Sequence, residues 1–193
     1  MNFGIRVFDL GLIWGELHNE LVRLGEQIQK DDKKSESKRN YIRTFFSMVD
    51  AIGYATRQIL LNKHDQNEIV LSPEEIYLLK EKSIEFDQNG HIKTKDRYYN
   101  AESFFKFTYI TYSKHLNKES LYKNLMEDDR YRCFKDALKI RNRITHPKGP
   151  KSIIISNIEF DEICKAHDWY HNFIIEILMG DVLEENTQTD SSQ

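Results

Sequence analysis

The chain has 193 residues, of which 39% are hydrophobic and 31% are charged, and its formal net charge is −3 at pH 7. This composition is typical of one globular domain, and it excludes a disordered chain and a protein that coats nucleic acid through overall positive charge. Only three prolines and eight glycines interrupt the sequence, which favours long helices.

The first third of the chain is predicted to form two long helices. Apolar residues recur every three or four positions over residues 5–30, which is the period of one helical face. The polar residues 31–39 are expected to link this helix to a second one over residues 40–63. The core stripe of the second helix is predicted to be Ile42, Phe45, Val49, Ile52 and Ile59.

Three charged residues of the second predicted helix, Arg43, Asp50 and Arg57, are spaced by seven residues and therefore share one face. Two interpretations stay open for this stripe. It is an exposed ladder of ion pairs that contributes little to stability, or it faces a functional site formed with another part of the chain.

Residues 64–97 are predicted to be an insertion that decorates a helical core. The Ser-Pro-Glu-Glu segment at residues 72–75 has the N-cap, the proline and the acidic first turn that begin a helix, which we expect to end near residue 82. The Asn89-Gly90 pair between alternating apolar and polar residues predicts a β-hairpin over residues 84–93.

Two further helices are predicted after the insertion. The first spans residues 101–116 and is rich in phenylalanine and tyrosine. The second begins near Asp128 and ends before Pro147, because the residue before a proline is pushed out of the α region. Its inner face is predicted to be Phe134, Ala137, Leu138 and Ile144.

The end of the chain is predicted to hold one more helix. Residues 151–155 are expected to be extended, and Ser156 with Glu159 forms the capping-box pattern that begins a helix. This helix is expected to reach residue 179, with Gly180 as its C-cap. Residues 184–193 are polar and are expected to be disordered.

The most informative segment is Arg141-Asn142-Arg143-Ile144-Thr145-His146, at the end of the helix that begins near residue 128. A guanidinium clamps a phosphate through two hydrogen bonds and keeps its proton, and an imidazole exchanges a proton near neutral pH. Arg141 and His146 together therefore have the chemistry to cleave RNA without a metal ion. The opposing interpretation is that Arg141 pairs with an acid and His146 only caps the helix.

The segment around this motif is strongly basic. Residues 130–151 contain eight cations and one anion, a local balance of +7. Such a surface attracts phosphates whatever the total charge of the chain, although a solvated helix face is the alternative. The candidate RNA-binding residues are Lys135, Lys139, Arg143 and Lys148.

An all-helical core with Arg141-Asn142-x-x-x-His146 near a helix end resembles the HEPN superfamily. The resemblance covers residues 5–63 and 99–180, and it implies an all-α fold, a four- to five-helix up-down bundle, as one domain over residues 1–183. Only the six-residue motif is specific, and the insertion has no counterpart in the family, which leaves the subfamily open.

In function, the resemblance implies a metal-independent endoribonuclease that acts as a toxin or an antiviral defence effector. His146 is then the general acid or base, Arg141 stabilises charge on the phosphoryl oxygens, and Asn142 orients the phosphate. Asp50 is the candidate for a further polar residue from the second helix. The implied partners are RNA, a second copy of the chain, and an antitoxin resembling a nucleotidyltransferase or another defence-system protein.

A homodimer also makes sense on geometric grounds. Residues five apart on a helix differ by roughly 140° in direction, so Arg141 and His146 do not share a face of a continuous helix. Two alternatives to the enzyme remain: a non-catalytic helical module that binds a protein partner or a nucleotide, and a structural subunit whose Arg43/Asp50/Arg57 stripe is an interface.

No cofactor or metal ion is expected. His167 and His171 have a spacing that can chelate a metal, but the sequence offers no third ligand, so an amphipathic helix with Trp169 and Phe173 inside is preferred. Cys133 and Cys164 are expected to be reduced thiols of a cytoplasmic protein. We expect neither a secretory signal nor a membrane span.

Overall fold

The computed structural model describes residues 7–30 and 35–179, and most of these residues are helical. The elements follow one another as α1 (Val7–Lys30), α2 (Ser35–Asp65), α3 (Pro73–Leu79), β1 (Lys82–Phe86), β2 (Ile92–Asp96), α4 (Ala101–His115), α5 (Glu119–Glu127), α6 (Asp129–Thr145) and α7 (Asn157–Ile174). A 3-10 turn, Pro150–Ile153, precedes α7, and a π turn, Ile175–Met179, follows it. Among the described residues, no helix combines the length and the apolar character needed to cross a bilayer.

Aromatic side chains from α2, α4, α6 and α7 fill the centre of the core. Phe134 lies with its ring centroid 5.0 Å from that of Phe105 and 5.1 Å from that of Trp169. Trp169 contacts Phe173 at 5.2 Å in turn. The predicted inner stripe of α2 is confirmed, since its members are all buried: Ile42, Phe45, Val49, Ile52 and Ile59.

The prediction that residues 35–39 belong to a linker is wrong, because α2 begins at Ser35. Ser35 Oγ and Arg39 Nη1 both donate hydrogen bonds to the carbonyl oxygen of Ile153, at 3.2 and 3.0 Å. Lys38 is only 3% exposed, and its Nζ donates to Asn157 Oδ1 at 2.5 Å. These contacts, with the segment before α7 and with the first residue of α7, give the polar side chains partners within the protein. The polar composition of the segment had instead indicated a solvent-exposed linker. Residues 31–34 lie outside the described residues.

The predicted starts of α3 and α7 are confirmed, and both helices begin with a capping box, a pattern predicted only for Ser156 and Glu159. Ser72 Oγ accepts from the Glu75 backbone N–H at 3.2 Å, and Glu75 Oε2 accepts from the Ser72 N–H at 2.8 Å. Ser156 and Glu159 repeat the arrangement at 3.2 and 3.0 Å. Helix α3 ends at Leu79, three residues before the predicted end.

The predicted hairpin is confirmed. Strands β1 and β2 pair antiparallel, from Lys82 opposite Asp96 to Phe86 opposite Ile92. Asp87 Oδ1 accepts from the backbone N–H groups of Asn89 and His91, both at 2.9 Å, and Gly90 has φ +79°. A positive φ is costly for residues with a Cβ, which explains why a glycine stands at this turn.

Two elements near the end of the chain differ from the prediction. Residues 151–155 do not form an extended piece, because Pro150–Ile153 is a 3-10 turn closed by the Ser152 N–H on the Gly149 carbonyl at 2.9 Å. Helix α5 was not predicted; it buries Tyr122 and ends where Asp128 caps α6. The predicted C-cap Gly180 and the tail 184–193 lie outside the described residues.

Helices α1 and α7 meet at a cluster of imidazoles that the sequence did not indicate. The ring centroid of His18 lies 5.1 Å from that of His171 and 5.8 Å from that of His167. His167 is buried, and its Nδ1 lies 2.7 Å from the hydroxyl of Tyr41 on α2. Burial lowers the pKa of His167 to about 4, and the charges of His18 and His171 act in the same direction.

This cluster predicts a loss of stability in mild acid. The unfolded chain binds a proton at His167 near pH 6.5, whereas the folded chain does so only near pH 4, so stability falls as the pH drops between these values. The loss is about 2 kcal/mol at pH 5 relative to pH 7. Urea denaturation at pH 7, 6 and 5 measures it. The His167→Gln variant, whose amide still reaches Tyr41 without titrating, should lose less; parallel losses in the two proteins would contradict this assignment.

Candidate functional site

Helix α6 ends at the predicted motif. Its last helical residue is Thr145, and His146 leaves the helix with φ −121° and ψ 66° while its N–H still donates to the Asn142 carbonyl at 3.0 Å. Ile144 is buried on the inner face, whereas His146 and Pro147 are exposed. The proline therefore turns the imidazole away from the direction that a continuing helix would give it.

Arg141 of this motif contacts Asp50 of α2. Its Nη2 donates to Asp50 Oδ2 at 3.4 Å, and its Nη1 donates to Asn142 Oδ1 at 3.2 Å. Desolvation raises the pKa of the Asp50 carboxyl, and the positive charges of Arg141 and Arg57 lower it. Desolvation is the largest of these effects, so the pKa of Asp50 lies above its ordinary value although 66% of its side chain is exposed. The structure thus brings together three of the four predicted catalytic residues.

The Arg43/Asp50/Arg57 stripe is not an exposed ladder of ion pairs, so that interpretation is wrong. Arg57 is 8% exposed, and its Nη2 donates to Glu81 Oε1 at 2.7 Å. Arg43 is exposed and donates to Asn40. The other interpretation, that the stripe faces a site formed with another element, holds at Asp50.

His146 and Arg141 line different depressions of the surface. Arg141 lies beside Asp50, Ser47 and Thr145 in a groove of about 380 Å³ between α2 and α6. His146 lies in another depression of about 530 Å³, lined by Asn142, Arg143, His146, Lys148 and Ser152. Asn142 belongs to the second depression and hydrogen-bonds to Arg141, so it connects the two. In the part of the chain that the structure describes, these two depressions hold the guanidinium and the imidazole separately.

Acids from neighbouring turns and helices pair with half of the eight cations around the motif. The pairs are Arg130 with Asp128, Lys139 with Asp136, Arg141 with Asp50, and Arg143 with Glu159. Among the other predicted RNA-binding residues, Lys135 lies over the Tyr131 ring, 5.3 Å from its centroid, and Lys148 lines the depression of His146. The positive charge beside the motif is therefore smaller than the sequence count of +7 indicates.

Sequence reasoning missed the residues on the other side of the Asp50–Arg141 pair. Glu81, Phe104 and Thr108 line a third cavity that also reaches Asp50 and Arg141. They come from the start of the hairpin and from α4, and their proximity depends on packing that no local pattern encodes. The part of the chain that the structure describes has no group of three or more His, Cys, Asp or Glu side chains arranged to hold a metal ion.

Comparisons of the chain with protein families, curated proteins and solved structures found no match.

The two arginines beside Asp50 are predicted to differ in structural importance. Arg141→Gln should lower the free energy of unfolding by less than about 1 kcal/mol, because its pair with Asp50 is partly solvated. Arg57→Gln should cost more, about 2 kcal/mol, because it removes a part-buried hydrogen bond to Glu81 and the contact with the Phe104 ring. Urea denaturation of both variants measures the difference, and equal losses would contradict it.

Proposed function

We propose that this protein is a metal-independent endoribonuclease of the HEPN type. The observation that carries the proposal is the arrangement at the end of α6, where Arg141 lies between Asp50 and Asn142 and Pro147 turns His146 into solvent. The helical fold is compatible with the bundle that the resemblance implies. The guanidinium of Arg141 is partly exposed and the imidazole of His146 is exposed, so one helix end offers a group that stabilises phosphoryl charge and a group that exchanges a proton.

In the proposed reaction, the imidazole of His146 removes the proton of a ribose 2′-hydroxyl. The 2′-oxygen attacks the adjacent phosphorus, and the bond from phosphorus to the 5′-oxygen breaks. A second imidazole, protonated, gives its proton to that leaving oxygen. The products are a 2′,3′-cyclic phosphate and a 5′-hydroxyl. The step consumes no water and uses no metal ion.

Arg141 has the electrostatic role in this scheme. Its guanidinium neutralises the charge that develops on the non-bridging phosphoryl oxygens, and Asn142 orients the phosphate through its carboxamide. Asp50 holds Arg141 in place from α2. The 3.4 Å separation between Arg141 Nη2 and Asp50 Oδ2 is at the long end for a hydrogen bond, so an incoming phosphate can take over that donor.

A second copy of the chain completes the proposed site. Arg141 and His146 line separate depressions in one chain, and the reaction uses two imidazoles. A homodimer that joins two α6 ends supplies both. A free enzyme of this kind damages its own host, so we further propose a toxin or antiviral defence role with a partner protein that restrains it.

The central test is RNA cleavage in the presence of EDTA. The wild-type protein should produce fragments with 2′,3′-cyclic phosphate ends, and His146→Ala should slow cleavage by about 100-fold or more, the usual contribution of a general acid or base. His91→Ala is the matched control, because it removes another exposed imidazole, at the hairpin turn. Light scattering of the same samples reports whether the active species is a dimer.

Two results would overturn the enzymatic proposal: equal activity of wild type and His146→Ala, or an absolute need for a divalent metal ion. A non-catalytic module that binds a protein partner or a nucleotide is then the better description. Growth of the expressing host separates the two functions, since only an active ribonuclease slows growth in a manner that His146→Ala relieves.

A further inference from the structure

A cavity of about 450 Å³ lies on the other side of the Asp50–Arg141 pair, between α2, α4, α6 and the base of the hairpin. This volume is within the range of small-molecule binding sites. Aromatic rings form one wall: Tyr99 and Phe104 are stacked, with centroids 5.2 Å apart and planes inclined by 22°. Tyr99 and the Arg57 guanidinium, whose carbon is 4.4 Å from the Phe104 centroid, already lie over the Phe104 ring, so these groups form an apolar wall of the cavity.

Two buried polar atoms on the wall of this cavity have no hydrogen-bond partner. They are Nε of Arg57 and Oγ1 of Thr108, on side chains that are 8% and 1% exposed. A buried donor or acceptor without a partner destabilises a protein, and such groups are rare unless a ligand or water satisfies them. Both residues line the same cavity, so one bound molecule toward which the two side chains turn can satisfy both atoms.

Glu81 adds a third polar group at the mouth of the cavity. Its carboxylate accepts from Arg57 and remains 42% exposed, so it is available to a ligand. Its backbone has φ +55°, a left-handed conformation that is unusual for a glutamate. Strain of this kind persists where the surrounding structure holds a residue for a purpose, and here the hydrogen bond from the Arg97 N–H to the Glu81 carbonyl, 3.0 Å long, helps to hold it.

We propose that this cavity binds the guanine base of the nucleotide next to the cleaved phosphate. The role in RNA selection rests on the proposed ribonuclease function, whereas the binding itself does not. Guanine presents acceptors for Arg57 and Thr108 and, on the same ring system, N–H donors for Glu81; adenine lacks the donors at its N1 and C2 positions. Its rings lie in the cavity beside the apolar wall of Tyr99 and Phe104.

The position of the cavity connects base binding to the chemistry. Asp50 and Arg141 line both this cavity and the groove between α2 and α6. A base in this cavity therefore leaves its ribose and phosphate near Arg141, which is partly exposed. The protein would cleave next to guanine because the recognised base and the guanidinium are neighbours.

Thr108→Val provides the sharpest test, because valine keeps the shape of threonine and removes only the unpartnered hydroxyl. We expect Thr108→Val to melt at the same temperature as the wild type or higher, and to bind GMP about five-fold more weakly in isothermal titration calorimetry. Ser113→Ala is the matched control: Ser113 is also a buried, unpartnered hydroxyl of α4, but it does not line the cavity. It should leave GMP binding unchanged.

AMP and the His146→Ala variant complete the experiment. The wild type should bind GMP more tightly than AMP, and His146→Ala should bind GMP as the wild type does, since His146 lies outside the cavity. If the wild type binds GMP but does not cleave RNA, the ribonuclease proposal is contradicted and the proposal of a guanine-binding cavity is supported. Equal affinity for GMP and AMP, no binding of either, or equal effects of Thr108→Val and Ser113→Ala overturn the pocket proposal even if RNA is cleaved.

Discussion

The packing of Phe134 against α2 sets the geometry on which the candidate site depends. Its ring centroid lies 6.4 Å from that of Phe45 and 6.1 Å from that of Phe46. About one turn further along α2 lies Asp50, and about two turns further along α6 lies Arg141, so the aromatic contact brings the carboxylate and the guanidinium together. A buried ring on each helix thus determines a polar contact at the surface, because interiors are close-packed and resist sliding.

The Asp50–Arg141 pair divides the surface into a polar groove on one side and an aromatic cavity on the other. Arg141 is available to a phosphate because its pair is long and partly solvated, whereas Arg57 is held by Glu81 and by the Phe104 ring, 4.4 Å from its guanidinium carbon. Arg57, seven residues after Asp50 on α2, and Arg141, opposite Asp50 on α6, therefore have different roles. Arg141 can bind an anion from solution, whereas Arg57 forms part of the wall of the aromatic cavity.

Sequence patterns predicted helix ends correctly where those ends depend on residues close together in the sequence. The capping boxes at Ser72 and Ser156 and the proline after His146 set helix ends through neighbouring atoms, and the structure reproduces them. The start of α2 was missed because Lys38 is buried through its contact with Asn157, which lies 119 residues away in the sequence, and a local pattern contains no information on that contact. Face geometry left open whether Asp50 belongs to an exposed ladder or faces the Arg/His motif, and the pairing of Arg57 with Glu81 depends on where the hairpin packs, which no local pattern encodes.

The inserted segment contributes to the cavity beside Arg141. Residues 64–97 were expected to decorate the helical core, yet the insertion supplies Glu81, and the chain that leaves it supplies Tyr98 and Tyr99 to the cavity beside Arg141. The backbone bond from Arg97 to Glu81 closes the base of the hairpin at that cavity. If the cavity selects a base, the insertion determines which RNA is cleaved while α6 supplies the chemistry. Selectivity and catalysis would then come from different segments that meet at the Asp50–Arg141 pair.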